Sequence, residues 1–230
     1  MLDLKEGGFF LINKPYTWTS FQVVKKMKYI LTKHFSEKKF KIGHAGTLDP
    51  LATGLLIICV GKYTKKIEEF QGLRKEYTGT FRLGATTLSY DREHAENQTF
   101  PISHINETLL RQTAKAFIGP QKQVPPVYSA LRIDGKRAYS YAKQGLEPEM
   151  KEKDIEIYDF DITEVNMPEA AFRIACSKGT YIRSVARDFG LELNSGAYLS
   201  SLCRTKIGDY CLQDALSLED FEEMFPHKKD

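Results

Sequence analysis

Residues 43–50, Gly-His-Ala-Gly-Thr-Leu-Asp-Pro, hold a carboxylate at Asp49 and an imidazole at His44. The glycines allow close approaches and unusual turns, and the proline after Asp49 holds that residue in an extended conformation. A carboxylate on such a stiff loop could act as a nucleophile or as a general base. An acid beside glycines also often caps a turn, and from the loop alone this structural role is the more frequent one.

Two other side chains permit a chemical and a structural interpretation. Tyr77 starts the inward face of a predicted strand, where it could pack in the core or offer a platform for base stacking. His44 could be a general base or an ordinary loop histidine that packs or forms a hydrogen bond. Neither choice is settled by the residue type alone.

A cationic candidate lies at a predicted strand-to-helix turn, in residues 178–183. Arg183 and Arg187 are four residues apart, so they share one face of the helix. Because a helix N-terminus favours anions, this pair could hold a phosphate or a catalytic carboxylate. A solvated helix face, with Arg187 beside Asp188, is the alternative.

Strands and helices alternate without a regular βαβ rhythm around these candidates. This order predicts an α+β fold with a mixed, mainly antiparallel β-sheet core and flanking helices and loops. No linker rich in Pro, Gly or Ser divides residues 1–230, so we expect a single domain. Apolar or alternating runs predict strands at 8–13, 54–60, 76–83, 155–165 and 171–176. Capping and periodicity predict helices at 20–34, 64–70, 105–118, 137–144, 180–193 and after 214, with Ser20 and Thr180 as N-caps.

Charge is unevenly distributed along the chain, although the net charge is only +3. Basic residues concentrate in 25–41, 62–75, 132–137 and 178–187, and acidic residues in 147–161 and 214–223. This segregation fits a surface that binds a polyanion, although charge runs are also common on solvated faces. The four cysteines show no C-x-x-C spacing, which argues against a zinc site or a disulfide framework. We expect a cytoplasmic protein, because no apolar run could span a membrane and no signal peptide is visible.

Residues 43–56 (GHAGTLDPLATGLL) resemble the signature of the TruB-type pseudouridine synthases. Other blocks resemble the same family in the same order, so that the resemblance covers nearly the whole chain. These blocks are Asn13-Lys14-Pro15 with Thr19-Ser20, Tyr77 with Leu83-Gly84, residues 124–131, residues 176–183, and Gly196-Ala197 with residues 199–205.

The resemblance implies a pseudouridine synthase fold and isomerisation of the uridine at position 55 in the T loop of tRNA, with the base flipped out of its stack. It implies that Asp49 is the nucleophile, that Tyr77 lies against the target base, and that Arg183 pairs with Asp49. His44, Tyr181 and Leu202 would line the RNA site, and Lys14, Lys65 and Arg204 would be basic positions near it. No cofactor and no metal are implied. The partner would be the T arm of tRNA, and a monomer is the simpler expectation.

The chain departs from the family pattern at several positions. Thr17 stands where glycine is usual, Leu88 and Ser89 replace Asp-Thr, and Cys203 replaces an arginine. The chain ends soon after the last motif, so we expect no separate C-terminal RNA-binding domain. A tRNA-folding chaperone with dispensable catalysis is the alternative function. A carboxylate glycosidase would need a second acid in an equally constrained motif, and none is apparent.

Overall fold

The computed structural model describes residues 3, 4, 6–129, 131–133, 136, 137, 141 and 148–226. The strands are β1 (Gly8–Lys14), β2 (Ile42–His44), β3 (Thr53–Val60), β4 (Lys75–Leu83), β5 (Ala85–Thr87), β6 (Glu96–Thr99), β7 (Gly119–Gln123), β8 (Arg132–Ile133), β9 (Lys136–Arg137), β10 (Lys153–Asn166), β11 (Glu169–Cys176), β12 (Ala197–Ile207) and β13 (Tyr210–Cys211). The helices are α1 (Ser20–Phe35), α2 (Ile67–Gly72), α3 (Glu107–Ala116), α4 (Ile182–Glu192) and α5 (Leu218–Met224), and two 3₁₀ turns cover Gly61–Lys66 and Leu212–Asp214.

The fold divides into two compact units, Met1–Tyr77 with Cys203–Asp230 and Thr78–Leu202. The chain passes between the units inside β4 and again inside β12, and not through a linker. A boundary inside a strand has the composition of a strand, which is why no change in composition marks it in the sequence.

The first unit is built on β3, the apolar strand that the sequence predicts. Its strands follow the order β1-β3-β12-β4, with β2 paired to β3 and β13 to β12. Successive side chains of β3 point to opposite faces. Leu56, Ile58 and Val60 pack with α1 and α5, while Leu55, Ile57 and Cys59 join a second cluster around Phe70. Because both faces are covered, the whole of Gly54–Val60 is buried.

The second unit has the strand order β12-β4-β11-β10-β7. Its core contains a group of phenylalanines from β4, β10, β11 and α4. The rings of Phe81 and Phe172 are stacked with centroids 4.1 Å apart, and Phe189 of α4 stacks on Phe81 at 5.2 Å. These contacts seat α4, the helix that carries Arg183, on the sheet.

The predicted fold class is confirmed. The register is antiparallel for β1/β3, β2/β3, β10/β11, β10/β7 and β12/β13, and parallel for β12/β3. The sequence did not predict β12, whose central residues Ser-Ser-Leu-Cys-Arg-Thr-Lys alternate poorly between polar and apolar. The helix predicted at 137–144 lies almost entirely outside the described residues.

Both predicted N-caps are wrong by one residue. Thr19 caps α1 in a capping box with Gln22, which leaves the Ser20 hydroxyl available for another contact. Tyr181 occupies the N-cap position of α4, and the Thr180 hydroxyl instead donates to the Ser177 carbonyl at 3.0 Å. Among the described residues, none of the helices has the length and apolar character needed to cross a membrane.

Candidate active site

The Asp49 loop, residues 45–52, connects β2 to β3 in the first unit. Its start is fixed by the Ala45 amide, which donates to the Ile57 carbonyl at 2.8 Å. Just past its end, Gly54 has a φ of +102°, and a Cβ there would lie 2.3 Å from the Arg204 carbonyl oxygen. Glycine is therefore the residue that fits at this crossing. Asp49 itself is half-buried, and its carbonyl accepts from the Ala52 amide at 3.1 Å, forming a tight turn.

Ser20, at the first residue of α1, holds the loop next to Asp49. Its hydroxyl accepts from the Leu48 amide at 2.9 Å and donates to the Leu48 carbonyl at 3.2 Å. The side chain is buried, so both bonds are shielded from water. Both backbone polar groups of the residue before Asp49 are thus bound by one short side chain, which restricts the orientation of Asp49.

Lys14 holds the other side of Asp49 from a fully buried position. Its ammonium group donates to the carbonyls of Pro15 and Trp18, and to that of Pro50 at 3.2 Å. Burial lowers the pKa of Lys14 to about 8; the Asp49 carboxylate acts in the opposite direction, and the Arg204 charge lowers this pKa further. The Asp49 carboxylate therefore favours the charged form of Lys14.

Arg204 of β12 is the second buried cation beside the loop, with 1% of its surface exposed. Its Nε donates to the Leu55 carbonyl at 2.8 Å and its Nη2 to the Gly46 carbonyl at 3.0 Å, on opposite sides of Asp49 in the sequence. Neither Arg204 nor Lys14 has the exposure that a phosphate contact requires. In this structure both bind backbone carbonyls and stiffen the loop, and their places near an RNA site stay predictions. Lys65 is exposed, and its proposed contact with RNA stays a prediction.

His44 lies at the end of β2 and is partly buried. Burial lowers its pKa, and the nearby charge of Arg204 lowers it further. The imidazole is therefore held in its neutral form at neutral pH. Its Nδ1 atom is buried without a hydrogen-bond partner among the described residues. A neutral ring with an unused nitrogen is suited to packing on RNA or to accepting a proton, and the choice stays open.

Tyr77 lies on β4 and shares the buried face of the strand with Phe81 and Leu83, as predicted. Its side chain is 8% exposed. In this structure Tyr77 is largely buried, and its contact with a target base stays a prediction.

Arg183 lies in the first turn of α4 in the second unit and is 5% exposed. Nη1 donates to the Ser89 carbonyl at 3.1 Å and Nη2 to the Tyr128 carbonyl at 2.8 Å. Nε lies 3.6 Å from Oδ2 of Asp91, which is also buried. The planar guanidinium is thus fixed at each of its nitrogens. The pairing of Arg183 with Asp49 stays a prediction.

Tyr181 and Leu202 are both half-buried in the second unit. The backbone of Tyr181 is held by the buried amide of Gln123: the Tyr181 amide donates to Oε1 at 2.8 Å, and Nε2 donates to the Tyr181 carbonyl at 3.2 Å. This pair orients the start of α4. Their places in an RNA site stay predictions.

Sequence reasoning missed several residues that hold the site: Ser20, Gln123, Ser89 and Asp91. Ser20 was assigned to the helix cap, and the others carry no local signal, because their partners are brought together by the fold. At two of the departures from the family pattern, Ser89 keeps polar contacts, whereas Leu88 is 54% exposed.

A cleft of about 520 Å³ opens in the second unit. Its wall includes Leu88, Tyr90, Tyr128 and Arg187, whose guanidinium lies 5.7 Å from the ring centre of Tyr90. Arg187, a cationic candidate from the sequence, thus lines this cleft, whereas Asp49, Tyr77 and Arg183 do not. Within the described residues, no group of His, Cys, Asp or Glu is arranged to hold a metal ion.

The fold is similar to that of two solved protein chains. A chain of a Cbf5-Nop10-Gar1 complex superposes with a TM-score of 0.70 at 27% identity, covering 96% of this chain and 54% of that one. An H/ACA RNP bound to a substrate RNA containing 2′-deoxyuridine gives 0.68 at 26% identity, covering 96% and 53%. The chain therefore spans about half the length of these solved chains. These similarities support the assigned fold class.

The family described as TruB family pseudouridylate synthase (N terminal domain) matches residues 32–182. A tRNA pseudouridine synthase B of Flavobacterium johnsoniae is 56% identical over 219 residues, covering 95% of this chain and 96% of that protein. The protein of that name from Phocaeicola vulgatus is 51% identical over 222 residues, covering 96% and 94%. The chain belongs to the TruB family, as the sequence resemblance predicts, and is a pseudouridine-forming isomerase.

Proposed function

We propose that this protein converts the uridine at position 55 in the T loop of tRNA into pseudouridine, with Asp49 as the nucleophile and the target base flipped out. The observation that carries the proposal is the Asp49 loop, where Ser20, Lys14 and Arg204 bind the backbone around one half-buried carboxylate. Such a loop holds its carboxylate in one orientation at little further entropic cost during reaction. The extended identity to proteins named tRNA pseudouridine synthase B supports tRNA as the substrate.

The reaction is an isomerisation whose atoms balance without another reactant. The bond between N1 of the base and C1′ of the ribose breaks, and a bond between C5 and C1′ forms. C5 loses a proton and N1 gains one, so no net oxidation or reduction occurs. Asp49 would form a transient covalent bond either to the sugar or to the base, and its release would complete the rearrangement.

The surrounding residues have roles that follow from their chemistry. Flipping the uridine out of a stacked loop costs a few kcal/mol. Tyr77, on its rigid strand, would recover roughly 1–3 kcal/mol by stacking on the base. Lys14 keeps positive charge near Asp49 below about pH 8. Arg183 is the predicted counter-charge for the same carboxylate.

An unmodified tRNA transcript incubated with the purified protein tests the proposal. Pseudouridine is then mapped by carbodiimide modification and primer extension, and the expected product lies at the T-loop uridine alone. Product elsewhere, or none under conditions where the RNA binds, would reject the assignment.

The variant Asp49→Asn isolates the role of the nucleophile. It should retain RNA affinity and lose turnover by roughly 10⁴-fold or more, as nucleophile deletions do. Asp209→Asn changes an exposed acid in the same unit and serves as the matched control. Turnover by Asp49→Asn at the rate of this control would remove Asp49 from the mechanism.

A further inference from the structure

His94 is a side chain of the second unit that the proposed chemistry does not use. Its Nδ1 lies 2.9 Å from Oγ of Ser89, which is fully buried. Its ring also lies against the ring of Tyr128, with centroids 4.6 Å apart and planes at 59°. A hydrogen bond made away from solvent is costly to lose, because the group left behind finds no water.

The direction of this hydrogen bond follows from the next one along. Ser89 Oγ donates its proton to Oδ1 of Asp91 at 2.6 Å. A hydroxyl has a single proton, so toward His94 it acts as an acceptor, and His94 Nδ1 must carry a proton. In a hydrolytic triad the imidazole lies between hydroxyl and carboxylate, whereas here the hydroxyl occupies the middle. This order gives His94 no means of activating Ser89 as a nucleophile.

The residues that His94 contacts are those that hold Arg183. Ser89 and Tyr128 supply the carbonyls that accept from Nη1 and Nη2, and Asp91 supplies the carboxylate beside Nε. His94 touches Ser89 and Tyr128 directly and reaches Asp91 through the Ser89 hydroxyl. These three acceptors of the guanidinium are therefore one contact or two contacts from His94.

We propose that His94 is a positioning residue that holds the Arg183 guanidinium in its catalytic orientation through its hydrogen bond to Ser89. The inference rests on the proposed function, in which Arg183 is the counter-charge of the nucleophile. His94 acts through other residues and does not touch the reacting atoms. Its two contacts, one hydrogen bond and one ring face, can be removed separately.

A pair of substitutions separates these contacts. His94→Phe keeps an aromatic ring against Tyr128 and removes the donor, whereas His94→Asn keeps a donor near the Nδ1 position and removes the ring. We expect His94→Phe to lower kcat about tenfold at unchanged KM, the size of one lost hydrogen bond. His94→Asn should recover most of this loss. His104→Phe is the matched control, since that ring bonds the Leu193 carbonyl at 2.8 Å outside the Arg183 contacts.

Ser89→Ala breaks the same connection from its other end and should reproduce the kcat loss of His94→Phe. In the Arg183→Lys background, His94→Phe should cost nothing further, because its effect passes through Arg183. A wild-type kcat in His94→Phe, or losses that multiply in the double variant, would overturn the proposal.

The Nε–H resonance of Arg183 in the free protein provides a readout that needs no activity. It should shift or broaden in His94→Phe and stay in place in His94→Asn and His104→Phe. If the wild-type protein makes no pseudouridine, the proposed function fails while this measurement still tests the positioning role. An unchanged resonance in His94→Phe would show that His94 does not orient Arg183.

Discussion

Asp49 and Arg183 are held in place by different means. Asp49 is half-buried, and the buried groups around it bind the backbone on either side: Ser20 at Leu48, Lys14 at Pro50 and Arg204 at Gly46. Arg183 is buried, and its own guanidinium makes the contacts that fix it. One unit restrains the chain that carries the functional group, and the other restrains the functional group directly.

This difference determines how sensitive each region is to substitution. Around Asp49 the restraint is shared by side chains that are far apart in sequence, so removal of one leaves the others in place. Around Arg183 the contacts converge on a single side chain, so one substitution disturbs all of them. We therefore expect one large effect at Arg183 and several smaller effects around Asp49.

The largest effect should come from Arg183→Lys. Lysine is a point charge on a flexible stem and cannot donate to the Ser89 and Tyr128 carbonyls in the fixed geometry of a planar fork. We expect kcat to fall on the order of 10²-fold or more, the size typical for loss of one preorganised electrostatic contact. Single-turnover release of tritium from uridine labelled at C5 measures this rate. Turnover near the wild-type value would show that the fork geometry is irrelevant.

Arg204→Met should have the largest effect among the residues around Asp49. The change keeps an unbranched side chain but leaves the Leu55 and Gly46 carbonyls without this donor, at roughly 1–3 kcal/mol for each buried group. Loss of a buried charge offsets part of this cost, so we expect a decrease of about 2–3 kcal/mol in the free energy of unfolding. Urea denaturation measures it.

Lys206→Met on the same strand is the control for Arg204→Met, because that cation is half exposed and lies 3.7 Å from Glu76. It should change stability by less than about 0.5 kcal/mol. Equal stability losses in the two variants would mean that the buried contacts of Arg204 do not stabilise the loop.

The sequence predicted the elements of this comparison better than their contacts. The apolar run of β3 and the helical spacing of α1 are local signals, and both elements formed where expected. The Asp49 loop was recognisable from its glycines and its resemblance to a family signature. Strand β12 was missed because its pairing, and not its composition, makes it a strand.

The contacts that hold the site could not be derived from local pattern. Arg204 and Gly46 are 158 positions apart, and Lys14 and Pro50 are 36 apart. Lysine and arginine are rarely buried, so the sequence alone does not predict that Lys14 and Arg204 lie in the interior. Only the fold shows that backbone carbonyls surround them.

Ser20→Ala should have a moderate effect. The variant removes both hydrogen bonds to Leu48 but leaves the Thr19 cap of α1 intact. We expect a loss of about 1–2 kcal/mol in the free energy of unfolding, together with a several-fold decrease in kcat. Ser201→Ala, at an exposed serine, is the control for thermal denaturation. If Ser20→Ala lowers the melting temperature but leaves kcat unchanged, the Ser20 contact stabilises the loop without orienting Asp49.

The smallest effect should be a change in the titration of Lys14. Asp49 raises the pKa of this lysine against the lowering caused by burial and by Arg204. Asp49→Asn removes the favourable charge, so the pKa should fall below its present value of about 8. An NMR titration of the Lys14 side chain measures the shift, with Glu76→Gln as the control. A pKa that stays the same would mean that Asp49 and Lys14 do not interact.

The same shift has a consequence for stability. The folded-state pKa of Lys14, about 8, lies below the ordinary value of 10.5, so the folded protein releases this proton at lower pH than the unfolded chain does. The unfolded state then binds more protons between these values, and the Lys14 contribution to the free energy of unfolding rises with pH across that window. In Asp49→Asn this increase in the free energy of unfolding should begin at lower pH and should be larger. The lysine that stiffens the loop is therefore held in its charged form partly by the Asp49 carboxylate, whose neighbouring backbone it binds.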